Sequence, residues 1–292
     1  MLTGALPRVL VLAGLGLLAG CATVELTPAL QPLSKDTLML LGKKGMEVPT
    51  PIFIRIFKEE SEFEIWKQRP DGRFYHFKTY PICNWSGDLG PKVQQGDRQS
   101  PEGFYTLAHH QMNPNSHFYL AFDLGFPNAY DRANKRTGDA LMVHGKCKSA
   151  GCYAMTDALI EEIYALARES YVGGQEIIQV HAMPFRMTDA NMARHQSSQW
   201  YPFWQTLKDG YDYFELTHQP PDVVVCQKQY LVNVKSPGGL PVGKLDPEAQ
   251  CPKLERGVVS PFVPTGGAQM AAQSAPMSPI PGPKMHGLTS NP

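Results

Sequence analysis

The sequence of 292 residues is short of charge and has no long basic run. Charged residues make up 18% of the chain and the formal net charge at pH 7 is zero, so nucleic acid is not an expected partner. No internal apolar stretch is long and clean enough to predict a transmembrane helix, and no internal repeat is visible. Hydrophobic residues nevertheless account for 42% of the chain, which is enough for a sizeable core.

The N-terminus has the organisation of a secretory signal. Arg8 precedes an apolar run over residues 9–18, which ends in small residues. The string Leu18-Ala19-Gly20-Cys21 has the form of a bacterial lipobox, whose cysteine becomes the lipidated first residue. Because Ala22 and not aspartate follows, the outer membrane of a Gram-negative envelope is favoured. We therefore expect a signal peptide over residues 1–20 and a periplasm-facing lipoprotein anchored through Cys21.

The number of cysteines is small and informative in such a compartment. Apart from Cys21, the chain has five of them: Cys83, Cys147, Cys152, Cys226 and Cys251. An oxidising envelope permits disulfides, and an odd number leaves at least one thiol free or paired with another chain. The connectivity stays open. One arrangement pairs Cys147 with Cys83 and Cys226 with Cys251, and another joins Cys147 to Cys152.

Alternation of apolar and polar residues predicts a mostly β body. Strands are predicted over residues 51–57, 61–67, 73–82, 118–125, 140–145 and 176–183. A loop over residues 96–107, punctuated by Pro101 and Gly103, leads into a further short strand. A helix is predicted from a cap at Thr156 or Asp157 to a stop at Gly173.

Composition divides the chain into five parts. These are the signal peptide (1–20), a tether with a weak helical piece (21–50), the main domain (51–185), an appendage (186–234) and a tail (235–292). The appendage combines a helical pattern over 188–216, broken near Pro202, with an edge strand over 221–234. Because residues 235–292 hold 11 Pro and 8 Gly, the tail is expected to be disordered. His181 and the aromatic side chains of the appendage are expected to pack in the core.

The stretch LMVHGKCKSAGCYAMTD, residues 141–157, concentrates reactive side chains. A zinc site at His144, Cys147 and Cys152 lacks the paired spacings and the fourth ligand of structural zinc motifs. A disulfide between Cys147 and Cys152 explains neither His144 nor Gly151. A cysteine nucleophile with a histidine base explains more of these residues at once.

In that interpretation, His144 ends a strand and Cys152 lies just before the cap of the helix predicted from residue 157. A helix N-terminus stabilises a thiolate and presents free N–H groups. An oxyanion hole is therefore expected around Gly151. Gly145 leaves space beside the base, and its backbone carbonyl is the expected acceptor that orients the His144 ring.

These residues carry a resemblance to a known family. The pattern H-G-x₅-G-C and the upstream segment Ser100-Pro101-Glu102-Gly103-Phe104-Tyr105 resemble the catalytic domain of the L,D-transpeptidases, the YkuD-like family of peptidoglycan enzymes. Ser149, Gly151 and Cys152 match the Ser, Gly and Cys of the family motif. The longer string over residues 113–157 is more similar to the YafK-like subgroup. The resemblance covers roughly residues 50–190.

The resemblance implies a fold and a set of site residues. The fold is a mostly β sandwich with helical additions, and residues 51–185 become its catalytic domain. Cys152 is the implied nucleophile and His144 the general base and acid, with no cofactor and no metal. Residues expected at the oxyanion or substrate are Gly151, Tyr153, Ser149, Arg132 and Tyr130. The last two lie on a predicted loop, 128–138, where an arginine can clamp an anionic stem peptide.

The implied reaction attacks the L-centre carbonyl of diaminopimelate in peptidoglycan stem peptides and passes through a thioester. Two departures concern the acceptor: Ala150 replaces the family's His before Gly-Cys, and Ala154 replaces an Asn two positions after Cys. One alternative is therefore an amidase that hydrolyses the link from diaminopimelate to the lysine of a murein-anchored lipoprotein, which would be its partner. Another alternative is a peptidoglycan-binding lipoprotein without catalytic activity.

Overall fold

The computed structural model describes residues 26–238, 240–241 and 245–263. The predicted signal peptide, the predicted lipidation site at Cys21 and the last part of the predicted tail lie outside the described residues. Among the helices that are described, none combines the length and the apolar character needed to cross a membrane.

Five strands form the first sheet: β1 (Ile52–Phe57), β2 (Glu62–Gln68), β3 (Phe74–Pro81), β4 (Gly103–Ala108) and β9 (Ile177–Met183). Their order is β3-β2-β1-β9-β4. Strands β1 and β9 are parallel, and the other neighbours are antiparallel. Every residue of β1 is buried, as expected for a central strand that is covered on both faces. The strands predicted over these segments are confirmed.

Four short strands form the second sheet: β5 (Met112–Asn113), β6 (Ala121–Asp123), β7 (Met142–His144) and β8 (Tyr153–Ala154). Strands β6 and β7 are antiparallel, whereas β7 and β8 are parallel. Phe122, Val143 and Tyr153 are each 0% exposed and point into the core. The opposite face of this sheet carries the residues of the candidate site.

Helix α3 (Asp157–Val172) joins the two sheets into one core. It begins where the sequence predicts, because the Thr156 hydroxyl accepts the Leu159 N–H. The helix contacts β1 of the first sheet and β6 and β7 of the second, and Ile160, Ile163 and Leu166 on its apolar stripe are fully buried. The chain therefore has the expected architecture, mostly sheet with helical additions.

The segment expected to be a tether packs against the body from Ala29 onward. A short 3-10 helix (Pro28–Leu30) and helix α1 (Lys35–Lys43) lie against the body. Arg168 of α3 donates hydrogen bonds to the Ala29 and Gln31 carbonyls at 2.6 and 3.1 Å. Leu33 and Leu41 join the main core. A few apolar residues are enough to dock this segment, although its helical pattern is weak.

The appendage contains two helices and a hairpin. Residues 195–200 separate helix α4 (Asp189–Arg194) from helix α5 (Tyr201–Thr217), so the break lies just before Pro202, which is in the first turn of α5. The edge strand predicted over 221–234 is instead a hairpin of β10 (Val223–Cys226) and β11 (Gln229–Val232). Gln227 and Lys228 form its turn with positive φ angles of 48° and 60°. This turn lacks the glycine that usually announces such a conformation.

The expected disorder of residues 235–292 does not begin at residue 235. Strands β12 (Val234–Ser236), β13 (Leu240–Pro241) and β14 (Glu255–Arg256) form a small sheet. A disulfide joins Cys226 of β10 to Cys251, and Cys226 packs in a small cluster with Leu231 and Val234. The covalent link compensates for a composition that is poor in apolar residues. Residues from 264 onward lie outside the described part of the chain.

Candidate active site

Strand register places the side chains of His144 and Cys152 on the same face of the second sheet. In the parallel pair β7–β8, Val143 lies opposite Tyr153 and His144 opposite Ala154. Successive side chains point to opposite faces of a strand, and Val143 and Tyr153 point into the core. His144 directly follows Val143, and Cys152 directly precedes Tyr153. The side chains of His144 and Cys152 therefore point away from the core, towards the candidate site.

The His144 ring is held by the backbone of the next residue. Its Nδ1 lies 2.6 Å from the Gly145 carbonyl oxygen. A carbonyl only accepts hydrogen bonds, so Nδ1 carries the proton and Nε2 is left as the acceptor. The Phe118 ring covers the imidazole with centroids 4.5 Å apart. Burial lowers the pKa of His144, so the ring is unprotonated at neutral pH and Nε2 can accept a proton. The geometry agrees with the role expected for the Gly145 carbonyl.

Glycine is required at position 145 because neighbouring atoms leave no space for a side chain. A Cβ atom at this position would lie 2.5 Å from Asp157 Oδ1 and 2.9 Å from the Phe118 carbonyl oxygen. The Gly145 N–H donates to the carbonyls of Phe118 and Leu120 at 3.0 and 3.2 Å. These contacts fix the peptide whose carbonyl orients the base.

Cys152 is the free cysteine of the described chain, and its thiol is half-buried. The Met142 N–H lies 3.4 Å from Sγ, and Sγ lies 3.7 Å from the Ala140 carbonyl oxygen. Burial raises the pKa of the Cys152 thiol, with a further rise from Asp123, while Met142 N–H and Lys92 oppose it. The two groups are therefore a protonated thiol and a neutral imidazole at rest, so a nucleophilic role of this thiol would need a base.

The expected contribution of a helix N-terminus to the Cys152 thiolate is wrong. Strand β8 lies between Cys152 and α3, and the helix begins only at Asp157. The Asp157 carboxylate accepts the Lys146 N–H at 2.8 Å, so the start of α3 is used to hold the loop after His144. Because helix-dipole effects fall off within the first turn, the thiol gains little from this helix.

The disulfide pattern separates the two cysteines of the motif. Cys147 is bonded to Cys83 with a Cα–Cα distance of 5.3 Å, and Cys226 is bonded to Cys251. The pairing that leaves Cys152 free is confirmed, and the Cys147–Cys152 alternative is wrong. The Cys83–Cys147 bond pins the loop between β7 and β8 to the segment beside Asn84, whose backbone bridges Ala154.

Gly151 and Ser149 shape the backbone before the nucleophile. Gly151 has a φ of 128°, a conformation that other residues rarely adopt. Its N–H donates to Ser149 Oγ over 3.3 Å, and Ser149 Oγ donates to the Cys152 carbonyl oxygen over 2.7 Å. Among the described hydrogen bonds, none uses the Cys152 N–H. This N–H is therefore available to a ligand.

Three residues that were expected to contact the substrate make contacts within the protein instead. The Tyr153 ring is buried, and its hydroxyl donates to the Pro101 carbonyl at 2.6 Å, so the side chain cannot face a substrate. Tyr130 lies on helix α2 (Ala129–Ala133), not on a loop, and stacks on Tyr230 with centroids 4.2 Å apart. Arg132 on the same helix is exposed and donates to the Pro127 carbonyl. Its role towards a substrate stays a prediction.

Ser100 is a residue of the candidate site that the sequence analysis did not select. Its Oγ donates to the Cys152 carbonyl oxygen at 3.0 Å, and the residue is fully buried. It belongs to the Ser-Pro-Glu-Gly-Phe-Tyr segment that carried the resemblance, so the motif itself was the available signal. Its distance from Cys152 in sequence concealed the contact. In the described chain, no group of three or more His, Cys, Asp or Glu side chains is arranged to hold a metal ion.

Comparisons with known proteins agree with this arrangement. Residues 69–181 match the family model of the YkuD L,D-transpeptidase catalytic domain. The chain is 48% identical over 202 residues to "Putative L,D-transpeptidase YafK" of Escherichia coli K12, a match covering 69% of this chain and 79% of that protein. The same protein of Escherichia coli O157:H7 matches at 48% identity over the same shares.

Two solved structures are more distantly similar. The helical cell shape determining protein Pgp2 of Campylobacter jejuni shares 18% identity at a TM-score of 0.38, covering 63% of this chain and 69% of that one. Bd1075 of Bdellovibrio bacteriovorus shares 18% identity at a TM-score of 0.33, covering 56% and 62%. Because both TM-scores are low, family membership is decided by the sequence matches. The family-model match spans both His144 and Cys152, and with the 48% identity to YafK it shows that this chain belongs to the L,D-transpeptidase family.

Proposed function

We propose that this chain is a cysteine acyltransferase that acts at the L-centre carbonyl of diaminopimelate in peptidoglycan stem peptides. The observation that carries the proposal is the placement of a free thiol, Cys152, and a neutral imidazole, His144, on one face of the second sheet. The Gly145 carbonyl binds Nδ1 of the histidine, which leaves Nε2 without a proton and able to act as a base. Nucleophilic acyl transfer uses a thiol together with such a base, and the shared face supports this pairing.

In the proposed mechanism, Cys152 Sγ attacks the carbonyl carbon while its proton passes to His144 Nε2. The carbonyl oxygen becomes an oxyanion, and the free Cys152 N–H is a donor able to stabilise it. The C–N bond then breaks, and the imidazolium returns the proton to the leaving amine. A thioester between Cys152 and the diaminopimelate carbonyl remains. An amine or a water molecule resolves the thioester, with His144 again acting as base.

The pKa directions favour attack coupled to proton transfer over a preformed ion pair. Burial raises the pKa of the Cys152 thiol and lowers the pKa of His144. Both shifts oppose the thiolate–imidazolium pair at rest. The thiol therefore stays protonated until a substrate carbonyl occupies the site, which also protects a free cysteine in an oxidising compartment from indiscriminate reaction.

A second candidate is the amidase that releases a lysine-linked lipoprotein from diaminopimelate. Ala150 and Ala154 support it, because neither provides a side-chain hydrogen bond to a second amine. Ala150 is exposed, and Ala154 is 0% exposed with its N–H and carbonyl both bonded to Asn84. If no side chain at these positions forms a hydrogen bond with an amine acceptor, water resolves the thioester. The non-catalytic alternative is less favoured, because Cys152 is not used in a disulfide.

Mass spectrometry of digested peptidoglycan tests the proposal. Sacculi that carry lysine-linked lipoprotein are incubated with the wild-type protein or with Cys152→Ala, which removes the thiol and is expected to keep the fold. New diaminopimelate–diaminopimelate cross-links identify a transpeptidase, and loss of lysine-bearing stem remnants identifies the amidase. Both changes are expected to be absent with Cys152→Ala. Processing of muropeptides by the folded variant would refute the mechanism.

We also propose an envelope location, with a lipid anchor on Cys21 and the described domain facing the periplasm. The support is the lipobox form of residues 18–21 and the cell-wall substrate of the family. Metabolic labelling with palmitate is expected to mark the wild-type protein and to fail with Cys21→Ser. Labelling that persists in the variant would contradict this anchor.

A further inference from the structure

Three serines from separate segments meet behind the nucleophile, and two of them bind the same atom. Ser149 Oγ lies 2.7 Å and Ser100 Oγ 3.0 Å from the Cys152 carbonyl oxygen. Ser86 connects them. Its Oγ lies 3.1 Å from Ser149 Oγ, and its N–H donates to Ser100 Oγ over 3.2 Å. The nucleophile is thus tied to two parts of the chain that lie more than 50 residues before it, as the separation of 52 between Ser100 and Cys152 shows.

The direction of each hydrogen bond in this cluster is determined. The Cys152 carbonyl only accepts, so Ser149 and Ser100 both donate to it. The Ser149 hydroxyl has then used its proton, and it accepts from the Gly151 N–H and from the Ser86 hydroxyl. The Ser100 oxygen likewise accepts from the Ser86 N–H. No alternative orientation satisfies the same contacts, so the cluster has one hydrogen-bonding state.

Ser149 fixes the two peptides on either side of the one that carries the Cys152 N–H. It accepts from the Gly151 N–H, which belongs to the peptide before, and donates to the Cys152 carbonyl, which belongs to the peptide after. The peptide between Gly151 and Cys152 is held at both ends. Its own N–H stays unbonded within the described chain. The cluster therefore leaves a free donor in a fixed orientation beside the thiol.

Ser100 is itself anchored by a buried ion pair. Its carbonyl accepts from Lys58 Nζ at 3.0 Å, and Lys58 Nζ pairs with Glu102 at 3.0 Å with both side chains fully buried. The other carboxylate oxygen of Glu102 accepts from Trp204 Nε1 of helix α5 at 2.8 Å. The Ser100 N–H donates to the Ser86 carbonyl at 2.9 Å. The appendage thus reaches the nucleophile through a continuous series of buried contacts.

We propose that Ser100 and Ser149 are positioning residues, which hold the Gly151–Cys152 peptide so that the Cys152 N–H points at the oxyanion of the reacting carbonyl. The inference rests on the proposed function, because only acyl transfer forms such an oxyanion. The serines act through the backbone of Cys152 and do not touch the substrate. Their loss weakens the stabilisation of the transition state without removing the thiol or its base.

Two reactions of the same thiol test this role without a cell-wall substrate. With p-nitrophenyl acetate, the acetyl group moves to Cys152 Sγ, p-nitrophenolate leaves and the thiol proton passes to His144, so the reaction forms an oxyanion. With iodoacetamide, Sγ displaces iodide from a carbon atom and no oxyanion forms. Ser100→Ala is expected to slow acetylation about tenfold and to leave the alkylation rate unchanged. Ser100→Thr keeps the hydroxyl and is expected to restore acetylation.

Ser170→Ala is the matched control. Ser170 is a fully buried serine of α3 whose Oγ donates to the Ala167 carbonyl at 2.8 Å, and its loss is expected to change neither rate. If Ser100→Ala is acetylated at the wild-type rate, the proposal is wrong. An equal fall of acetylation and alkylation would overturn it too, because a merely structural role predicts that outcome. If wild-type protein leaves peptidoglycan unchanged while Ser100→Ala selectively loses acetylation, the proposed function fails and the positioning role stands.

Discussion

At the scale of single residues, the candidate base depends on the backbone of its neighbour. Many histidine bases are oriented by a carboxylate, and here a carbonyl does so at 2.6 Å from Nδ1. A carbonyl carries no full charge, so it stabilises the imidazolium less than a carboxylate does. The lowered pKa of His144 follows from burial with only this opposing contact. The position of the Gly145 peptide is therefore central to the site.

Gly145→Ala is expected to damage catalysis more than folding. The added Cβ would meet Asp157 Oδ1 at 2.5 Å and the Phe118 carbonyl at 2.9 Å, so the peptide must move away from His144. We expect a loss of about 1–3 kcal/mol in the free energy of unfolding and a fall in kcat/KM of roughly a hundredfold. Denaturant unfolding and acetylation kinetics measure the two effects.

Gly42→Ala is the control for this substitution. Gly42 lies in α1, and a Cβ added there would have nothing within 4 Å, so alanine is expected to stabilise the protein slightly and to leave activity intact. If Gly145→Ala keeps wild-type kinetics, the carbonyl does not orient the base. The sequence predicted His144, Gly145 and Cys152 as site residues from the spacing of a family motif, and the structure places the side chains of His144 and Cys152 on one face of the second sheet. It placed Tyr130 and Tyr153 wrongly, since burial depends on distant partners.

At the scale of elements, the loop between β7 and β8 carries the site between two fixed strands. Lys146 and Cys147 have positive φ angles of 64° and 48°, and neither is glycine. Such residues need support from their surroundings. The Lys146 N–H binds Asp157, and Cys147 is bonded to Cys83. The disulfide therefore holds both the fold and the path of the loop that connects base and nucleophile.

Removing this disulfide is expected to reduce both stability and activity. The Cys83→Ser and Cys147→Ser double variant opens a loop of 64 residues, so we expect a loss of about 4 kcal/mol in the free energy of unfolding. The acetylation rate of Cys152 is expected to fall roughly tenfold, because the loop gains alternative conformations. Calorimetry and p-nitrophenolate release measure these changes.

The second disulfide supplies the comparison. The Cys226→Ser and Cys251→Ser double variant lacks the bond between cysteines that are 25 residues apart in sequence. We expect it to lose about 3 kcal/mol in the free energy of unfolding and to keep the wild-type acetylation rate. Equal acetylation by both disulfide variants would show that the Cys83–Cys147 bond does not support the loop. Sequence alone left these pairings open, because cysteines 64 residues apart meet only when β8 and the segment beside Asn84 are brought together.

At the scale of the whole molecule, α5 covers the outer face of the first sheet over a layer that is rich in buried polar groups. Arg55 of β1 pairs with Glu64 at 3.2 Å and with Glu215 of α5 at 2.6 Å. His181 of β9 is 1% exposed between the rings of Phe53 and Phe104, each 4.6 Å away by centroid. Its Nδ1 is without a hydrogen-bond partner among the described atoms. The expectation that His181 belongs to the core is confirmed.

His181 is expected to make the fold sensitive to acid. Burial, and then the charge of Arg55, lower its pKa well below 6.5. Below pH 6.5, His181 binds a proton in the unfolded chain but stays neutral in the native state. The free energy of unfolding therefore decreases as the pH falls below 6.5. If His181 stays neutral in the native state throughout, this group accounts for at most about 2 kcal/mol of lost stability between pH 7 and pH 5. His181→Leu is expected to remove that part of the pH dependence in denaturant unfolding.

His110→Gln controls for an exposed histidine and is expected to leave the pH dependence as in the wild type. A His181→Leu protein that loses as much stability as the wild type between pH 7 and pH 5 would show that other groups cause the acid sensitivity. Because leucine is close to histidine in size, the variant tests the charge with little change in packing.

Local pattern was sufficient for the strands of the first sheet and for the start of α3, and it predicted His144 and Cys152 as the candidate base and nucleophile. Alternation, capping residues and motif spacing each depend on neighbours along the chain, so they can be recognised from the sequence. The C-terminal boundary, the β10–β11 hairpin, the two disulfides and the contact of Ser100 with Cys152 were decided only by the tertiary structure. The hairpin is local, but its turn at Gln227 and Lys228 lacks the glycine that usually announces it. The disulfides and the Ser100 contact depend on residues that are distant in sequence, and no local pattern records their proximity.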